Sequence, residues 1–551
     1  MRLVHPVSPS EFRQLIQRTI PPTGWSRRIA VAHSGGPDST ALLYLLTVLA
    51  QNTPRSRDAP ETPSLPLEVL AIHVNHGLQS LAGKMEDIAT STATRLGATS
   101  VTERIPWGVA PFPAKPAEGA AAEKLARDAR HGQLFAAMHA NDTKLIAFAH
   151  HADDQVETCI MRMAKGSGMK GLAATRPVRR WGMGDSSLPY ASFGALGMDT
   201  WIIRPLLQIP KDRLLATCEA NRLDYIHDPT NFQPEVTLRN AIRGALRGDT
   251  SASAPAPINI AAHTATLRAA APHVPPADQL REAVRLFGDL HEQAEAAATT
   301  ALARSRRPSP AATLLLSAGG LAITTDPDAR TAIVRRCLRF CSHGPWGSLW
   351  AEANGDSATL GRVVERFWPA QHHSLSAREL KPFTMGAGVT AMPVALRPDG
   401  VVFRAPKGRS EGLGWLLHRS VPHRVQLSST PAALSRGAPT EGVDVTDRLL
   451  EALESGGRSR YEMLFDHRFK IVFEVGDMPK HIGWAMAGGE RVRVEFYGQW
   501  QLPRVVYGED ALTMEVGKCL WKLPGWTNTP QNTTRSKKWI QMEFVRSLDA
   551  V

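Results

Sequence analysis

The chain has 551 residues, 43% hydrophobic and 21% charged, which is too long for one ordinary domain and predicts two or three. Its net charge of +12 fits a phosphate-rich partner, while an aromatic content of 6% speaks against base-stacking sheets of the kind that read single-stranded RNA. No apolar run approaches the roughly 18 residues of a membrane helix, and five cysteines, an odd number without a Cys-x-x-Cys pair, argue for a reducing compartment and against an iron–sulfur cluster.

The N-terminal stretch carries Arg2, Arg13, Arg18, Arg27 and Arg28 against one acid, Glu11. This is the basic, acid-poor character of a mitochondrial transit peptide, and equally that of an ordinary helix over 10–20 packed on the domain that follows. The run Ile29-Ala30-Val31-Ala32 predicts a strand and Ala41 to Ala50 a helix, with Ser34-Gly35-Gly36-Pro37-Asp38-Ser39 between them. At a strand–turn–helix junction a glycine pair lets the backbone approach an anion. The helix start adds unpaired N–H groups and partial positive charge. Pro37 suits a first helical turn, Ser34 and Ser39 can donate hydroxyl hydrogen bonds, and Asp38 can hold or position a metal. The loop lacks the Gly-x-x-x-x-Gly-Lys-Ser/Thr of a Walker A motif. It resembles instead the pyrophosphate loop of enzymes that cleave ATP between the α- and β-phosphates, a resemblance that suggests the nucleotide chemistry but not the acceptor.

A second strand, Val69 to Val74, ends in Asn75-His76-Gly77-Leu78, with His73 near its end, and a helix is predicted from Lys84 to Leu96. On the next helical stretch Glu123, Arg127 and Arg130 fall on one face, either as a solvated trio or, beside a nucleotide, as holders of phosphate or nucleic acid. A third strand, Lys144 to Ala149, runs into His150-His151-Ala152-Asp153-Asp154-Gln155-Val156-Glu157-Thr158. Polar residues just beyond the carboxyl ends of strands are where open α/β sheets place their sites. Asp154, Glu157 and Thr158 share a helix face, and adjacent carboxylates beside a nucleotide suit Mg²⁺. The competing reading is a helix cap by Asp153 or Asp154. Gly166-Ser167-Gly168 can form a backbone nest for phosphate oxygens. Arg204-Pro-Leu-Leu207, Asp228-Pro-Thr-Asn231 and Arg239-Asn240-Ala-Ile-Arg243 follow. The stretches Gln51 to Pro66, Trp107 to Gly119 and Trp181 to Thr200 read as surface-loop insertions.

Taken together and in this order, these motifs resemble the tRNA(Ile)-lysidine synthetase family over about residues 28–247. His131 departs from the pattern, since a tyrosine usually follows the second arginine. The resemblance implies an α/β fold: a Rossmann-like parallel-sheet pyrophosphate-loop catalytic domain. It implies a ligase that uses ATP and Mg²⁺. The C2 oxygen of the wobble cytidine in an isoleucine tRNA with a CAU anticodon attacks the α-phosphate, pyrophosphate leaves, and the ε-amine of free L-lysine displaces AMP. Asp38, Asp153 and Asp154 are then the expected catalytic residues, with Asp38 and Asp154 on the metal. Ser34, Gly35, Gly36, Pro37, Asp38, Ser39 and His73 are expected at ATP. Arg127, Arg130, Gly166, Ser167, Gly168 and Arg204 are expected at phosphate or substrate. Two other functions fit the loop: a different pyrophosphate-loop tRNA-modifying or amide-forming enzyme, or an RNA-binding protein that kept the fold without the catalysis.

The domains read as 1–247 catalytic, 248–278 an Ala/Pro/Ser/Thr-rich linker, 279–369 helical, and 370–551 strand-rich with a possible tRNA contact. In the helical part, Arg335, Arg336 and Arg339 make a candidate tRNA surface, and Cys337 and Cys341 read as core. Short strands are expected at Val401 to Arg404, Phe469 to Glu474 and Val492 to Tyr497, and a basic arm at Thr527 to Lys538. The insertions have a eukaryotic, fungal character, so the mitochondrial matrix is the expected location, with the cytoplasm as the alternative.

Overall fold

The computed structural model describes residues 4–53, 65–78, 81–117, 120–226, 238–247, 259–368, 380–397, 400–402, 412–421, 442–455, 460–497, 500–507, 510–511 and 539–551. The chain divides into two units, Met1–Trp181 with Leu188–Glu292 and Val551, and Gly182–Ser187 with Gln293–Ala550.

The first unit is built on a six-stranded sheet of β1 (Arg28–Ala32), β2 (Glu68–Asn75), β3 (Thr99–Arg104), β4 (Leu145–Ala147), β5 (Val178–Arg180) and β6 (Trp201–Ile203). Their order across the sheet is β3-β2-β1-β4-β6-β5. All neighbours are parallel except β5, which runs against β6. Helices α2 (Pro37–Gln51), α3 (Ala82–Leu96), α4 (Ala120–Ala140) and α5 (Ala152–Met163) supply the crossovers. With helices against the sheet, the central strands read as unbroken apolar runs: Ile29, Ala30 and Val31 are fully buried, as are Ile146 and Ala147. Strand order reverses between β1 and β4, so the connections after these two strands diverge and leave a crevice at their carboxyl ends.

The helix α1 (Pro9–Gln17) is capped by Ser8, whose hydroxyl accepts from the Glu11 N–H. It buries Phe12 and Ile16 in the same core as Leu42, Leu46 and Val31. Glu11 pairs with Arg213 at 2.7 Å and the Val7 N–H donates to Thr217. The basic N-terminal stretch is therefore, from Val4 on, an integral part of this unit. The expected linker holds a helix, α9 (Ile260–Ala270), over part of its length. Leu267 and Ala271 are buried there with Val156 and Ile160 of α5, while residues 248–258 lie outside the described set. Burial explains the difference: an Ala-rich stretch with leucine at the right spacing packs as readily as it links. Part of the insertion after β5 is likewise not a surface loop, because Tyr190 and Ala191 are buried and Tyr190 stacks on Phe112 at 5.4 Å.

The unit boundary falls inside a single helix, α10 (Gln279–Ser305), rather than at residue 278. In the second unit β7 (Arg306–Arg307) and β8 (Leu314–Ser317), the latter leading into α11 (Ala318–Ala322), join a sheet with later strands, in the order β11-β10-β12-β8-β7 with β9 (Phe383–Gly386) paired to β10, where β10 is Val389–Arg397, β11 Gly400–Val402 and β12 Gly412–Arg419. The helices α12 (Pro327–Cys341) and α13 (Ser357–Phe367) share one core with that sheet, through Ile333, Leu338, Val363, Phe367, Leu417 and Trp415. The helical and strand-rich stretches expected as separate domains thus pack as one, because neither apolar face is covered without the other. Two of the expected strands are present, Phe469–Glu474 and Val492–Tyr497. Of Val401 to Arg404, residues 403–404 lie outside the described set, as does all of 527–538.

The candidate tRNA face on α12 is not a surface. The Arg336 side chain is 1% exposed and pairs with Glu295, and Arg335 and Arg339 reach Glu352. Cys337 and Cys341 are core residues as expected, and Cys159 and Cys218 are also buried and free. Among the described residues no helix is long and apolar enough to cross a membrane.

Candidate active site

The loop after β1 is shaped by its own side chains. The Ser39 hydroxyl donates to the Gly36 carbonyl at 3.1 Å, accepts from the Ser34 N–H at 3.2 Å, and lies 3.1 Å from the Ser34 hydroxyl. Gly35 has a φ of +80°, a left-handed conformation that favours glycine, and a Cβ there would sit tightly at 3.2 Å from the Met85 carbonyl oxygen. Gly36 is the N-cap of α2 and Pro37 its first residue, with no side chain capping the free N–H groups. That leaves the helix start open to an anion.

Across the crevice His151 caps α5: its Nδ1 accepts from the Asp154 N–H at 3.3 Å, and Asp154 Oδ2 accepts from the His151 N–H at 3.1 Å. The reciprocal pair is a capping box with histidine in the serine position. The capping reading of Asp154 is therefore correct as far as it goes, but His151 Nε2 also stands 3.7 Å from Asp38 and 3.5 Å from Asp154. One imidazole thus stands between the first loop and the second.

Both segments line a single cavity of about 1020 Å³. Of the residues expected at the site, Ser34, Gly36, Pro37, Asp38, Ser39, His73, Arg130 and Asp153 line it. Gly35 shapes the loop from behind, and Asp154 is 9% exposed beneath His151. Arg204 is buried one step further back, where its Nε donates to His150 Nδ1 at 3.1 Å and Nη1 donates to the Arg176 carbonyl. Burial and the neighbouring Arg179 push the Arg204 guanidinium down to about 9, and burial with the Arg204 charge takes His150 down to about 3. Two expectations fall away from the cavity. Arg127 is exposed and pairs with Glu123 at 3.5 Å, the solvated i, i+4 arrangement. Gly166, Ser167 and Gly168 form the turn that leads into the short helix α6 (Met169–Leu172) and are not among the lining residues. Asp228 to Asn231 lie outside the described residues. His131 packs between Phe148 and Trp181, and burial holds it neutral, far below its ordinary range.

The charges in the cavity are arranged in pairs that sequence reading missed. Lys211, at the start of α7 (Lys211–Ala220), donates from Nζ to Asp38 Oδ2 at 3.1 Å and from its backbone N–H to Asp153 Oδ2 at 2.9 Å. Arg281, on the first turn of α10, meets Asp153 Oδ1 through Nε at 2.9 Å and Nη2 at 2.7 Å. Arg243, on α8 (Leu238–Arg247), reaches Asp154 Oδ1 at 3.2 Å and pairs with Glu157, which Arg239 also meets at 3.2 Å. Burial opposes ionisation of Asp154, yet His151, His150 and Arg239 outweigh it and hold the carboxyl below its ordinary value. Burial dominates at Glu157 and raises it despite Arg243. The Arg239 to Arg243 motif carried the signal for two of these cations, its first and last residues. Lys211 lies just past Arg204 to Leu207, and Arg281 stood beyond the expected linker with no signal at all.

Among the described residues of the cavity, three buried polar atoms lack a hydrogen bond: Glu157 Oε2, which still has its ion pair with Arg239, and two others. Arg130 Nε is buried without a hydrogen bond, and burial with the nearby Arg127 charge takes its guanidinium down to about 10. Asp38 Oδ1 is buried without one as well. An unpaired donor and an unpaired carboxylate oxygen on one cavity suit an anion and a cation bound together.

Comparison with known proteins places this unit. Residues 8–248 match the family described as the PP-loop domain. The chain is similar to the tRNA(Ile)-lysidine synthase of Pseudomonas aeruginosa, at 34% identity over 241 residues covering 43% of this chain and 45% of that protein. It is similar to that of Ralstonia nicotianae, at 30% over 305 residues covering 55% and 53%. It is also similar to that of Bacillus subtilis, at 34% over 215 residues covering 39% of each. The resemblance seen in the motifs is therefore borne out, and the chain spans about half the length of the curated relatives it matches.

Proposed function

We propose that the cavity between β1 and β4 binds ATP, cleaves it between the α- and β-phosphates, and serves to join free lysine to C2 of the wobble cytidine in an isoleucine tRNA with a CAU anticodon. The observation that carries this reading is the meeting, in one cavity, of the Ser34 to Ser39 loop with His150, His151 and Asp153 and the cationic side chains of Arg130, Lys211, Arg243, Arg247 and Arg281. The names of the similar proteins supply the acceptor.

In this reading the open start of α2 and the Ser34 and Ser39 hydroxyls receive the pyrophosphate that departs. Arg130, with its unpaired Nε, faces the same charge from the far wall. Apolar Ile72, Val74, Met85 and Leu134 give the purine a dry wall beside His73. The cytidine O2 is a weak nucleophile, so the α-phosphate must be electrophilic and the leaving group neutralised. Mg²⁺ fits this site through Asp38, whose Oδ1 is unpaired, because Mg²⁺ takes one or two carboxylates with phosphate and water as its other ligands. Its contribution is to neutralise phosphate charge. Asp154 fits less directly, since both its oxygens already accept from His151 or Arg243. In the second step the ε-amine of lysine must arrive unprotonated. Asp38 and Asp153, two of the four carboxylates at the cavity wall beside Glu157 and Asp212, can take up its proton.

Discrimination against a methionine tRNA with the same anticodon requires contacts outside it, and the parts after residue 278 are the proposed source. Contacts of that kind are largely to phosphates, so affinity should fall steeply with salt. A matrix location is proposed together with retention of α1, since its removal would strip Phe12 and Ile16 from the core. N-terminal sequencing of protein from purified mitochondria would show a start at or before Pro9; a purely cytosolic pool would contradict it. The reaction class is tested by product analysis during tRNA-dependent turnover. AMP and pyrophosphate are expected, and ADP with phosphate would exclude the PP-loop chemistry.

A further inference from the structure

Arg281 stands apart from the other cavity residues. It lies past residue 248, where the PP-loop match ends, on the first turn of α10, and it is brought to the cavity with Ala277 and Leu280. Leu280 packs with Val156 and Ile160 of α5, so the turn that carries Arg281 is anchored to the helix that carries Asp153. The guanidinium already holds a carboxylate, with Nε and Nη2 converging on the single oxygen Asp153 Oδ1, while Nη1 stands 3.7 Å from Asp278. A free carboxylate, with both oxygens available, would offer it the two-point contact that Asp153 does not. Asp153 does not depend on it, because its other oxygen keeps the Lys211 N–H at 2.9 Å. The Arg281 side chain is 30% exposed, so the fork can turn to a ligand without leaving a sealed charge behind.

Apart from Arg247, which lines the cavity from an exposed position at the end of α8, the other cations there are differently engaged. Lys211 Nζ neutralises Asp38 beside the glycine loop, and Arg243 is committed to Asp154 and Glu157. The buried Arg130 is placed for phosphate. A reaction between a nucleotide-activated base and a free amino acid brings one more anion into the site, the α-carboxylate. We propose that Arg281 is the receptor for the carboxylate of the amino-acid co-substrate, exchanging Asp153 for that ligand and so making the site selective for an amino acid over a simple amine. This rests on the lysine-ligating reading above. Asp153, once released by Arg281, keeps the Lys211 N–H and presents its other oxygen to the cavity.

The test compares lysine with cadaverine, which has the same chain and terminal amine but no carboxylate, using the full-length protein, ATP and CAU-anticodon isoleucine tRNA. Wild-type protein should use lysine with a KM lower than that for cadaverine by roughly ten- to a hundredfold, the worth of a charge-assisted contact. In Arg281→Ala the KM for lysine should rise by that factor while cadaverine is unaffected, so the preference collapses. The KM for ATP should move far less than that for lysine. Arg281→Lys, which keeps the charge without the fork, should recover part of the preference and guards against a folding defect. Equal losses for lysine and cadaverine, or a rise in the KM for ATP instead, would overturn the assignment and make Arg281 a structural or phosphate residue. If wild-type protein consumes ATP but joins neither amine to tRNA, the lysine-ligating reading itself has failed and the assignment falls with it.

Discussion

In the first unit Arg130, Arg243 and Arg281 line an open cavity, two of them reaching carboxylates at or just beneath its wall, whereas in the second unit Arg336, Arg419, Arg468 and Arg546 are sealed in the interior. Asp466 bridges Arg419 at 2.7 Å and Arg468 at 2.6 Å, with all three side chains at 1% exposure or less. Arg546 spends its donors on the carbonyls of His467, Arg339 and Gly344. The same residue type thus serves exchangeable pairing in one unit and fixed cross-linking of backbone in the other. Solvent access decides which: a pair beside a cavity can trade partners, while a desolvated one cannot.

That contrast predicts opposite phenotypes. The largest effect is expected in the second unit. Asp466→Asn leaves two buried guanidiniums short of their counter-charge and should cost about 3–5 kcal/mol in denaturant unfolding; a loss under about 1 kcal/mol would show that the cluster is not what holds that unit. Next is Asp154→Asn, for which turnover should drop on the order of a hundredfold or more, with the unfolding midpoint little changed. Near-normal turnover would remove Asp154 from the chemistry and leave it as a helix cap. Gly35→Ala forces a left-handed conformation on a residue with a Cβ and should destabilise by about 1–2 kcal/mol, with a raised KM for ATP; unaltered nucleotide binding would mean that the loop does not hold phosphate.

The smallest effect sharpens the comparison through pH. His33 and His150 are held near about 3 and His76 near about 4, all chiefly by burial. These groups are neutral when folded and take up a proton when unfolded below about 6.5. The stability they confer is therefore complete above that pH and is lost as pH falls from about 6.5 to the folded-state values of about 4 for His76 and about 3 for His33 and His150. His33→Gln should flatten that slope by about 1.4 kcal/mol per pH unit. An unchanged slope would mean that His33 titrates normally in the folded protein.

The sheet and the two loops of the first unit were legible because each motif is local: an apolar run, a glycine turn and a helix start identify themselves within a dozen residues. The Asp38–Lys211 and Asp153–Arg281 pairs were not, since partners more than a hundred residues apart leave no mark on either segment. Arg127 misled for a related reason. It and Arg130 share a helix face, but only Arg130 turns out to line the cavity. In the second unit the arginines of α12 read as surface because charge usually is, and their burial depends on Glu295 and Glu352 arriving from other elements.

The central claim, that this chain joins lysine to tRNA, is tested most directly by incubating it with ATP, labelled lysine and total mitochondrial tRNA. Label should appear at a cytidine in the anticodon loop of one tRNA species, with AMP and pyrophosphate formed in step. Consumption of ATP with no lysine in any tRNA would contradict the account and point to another pyrophosphate-loop ligase.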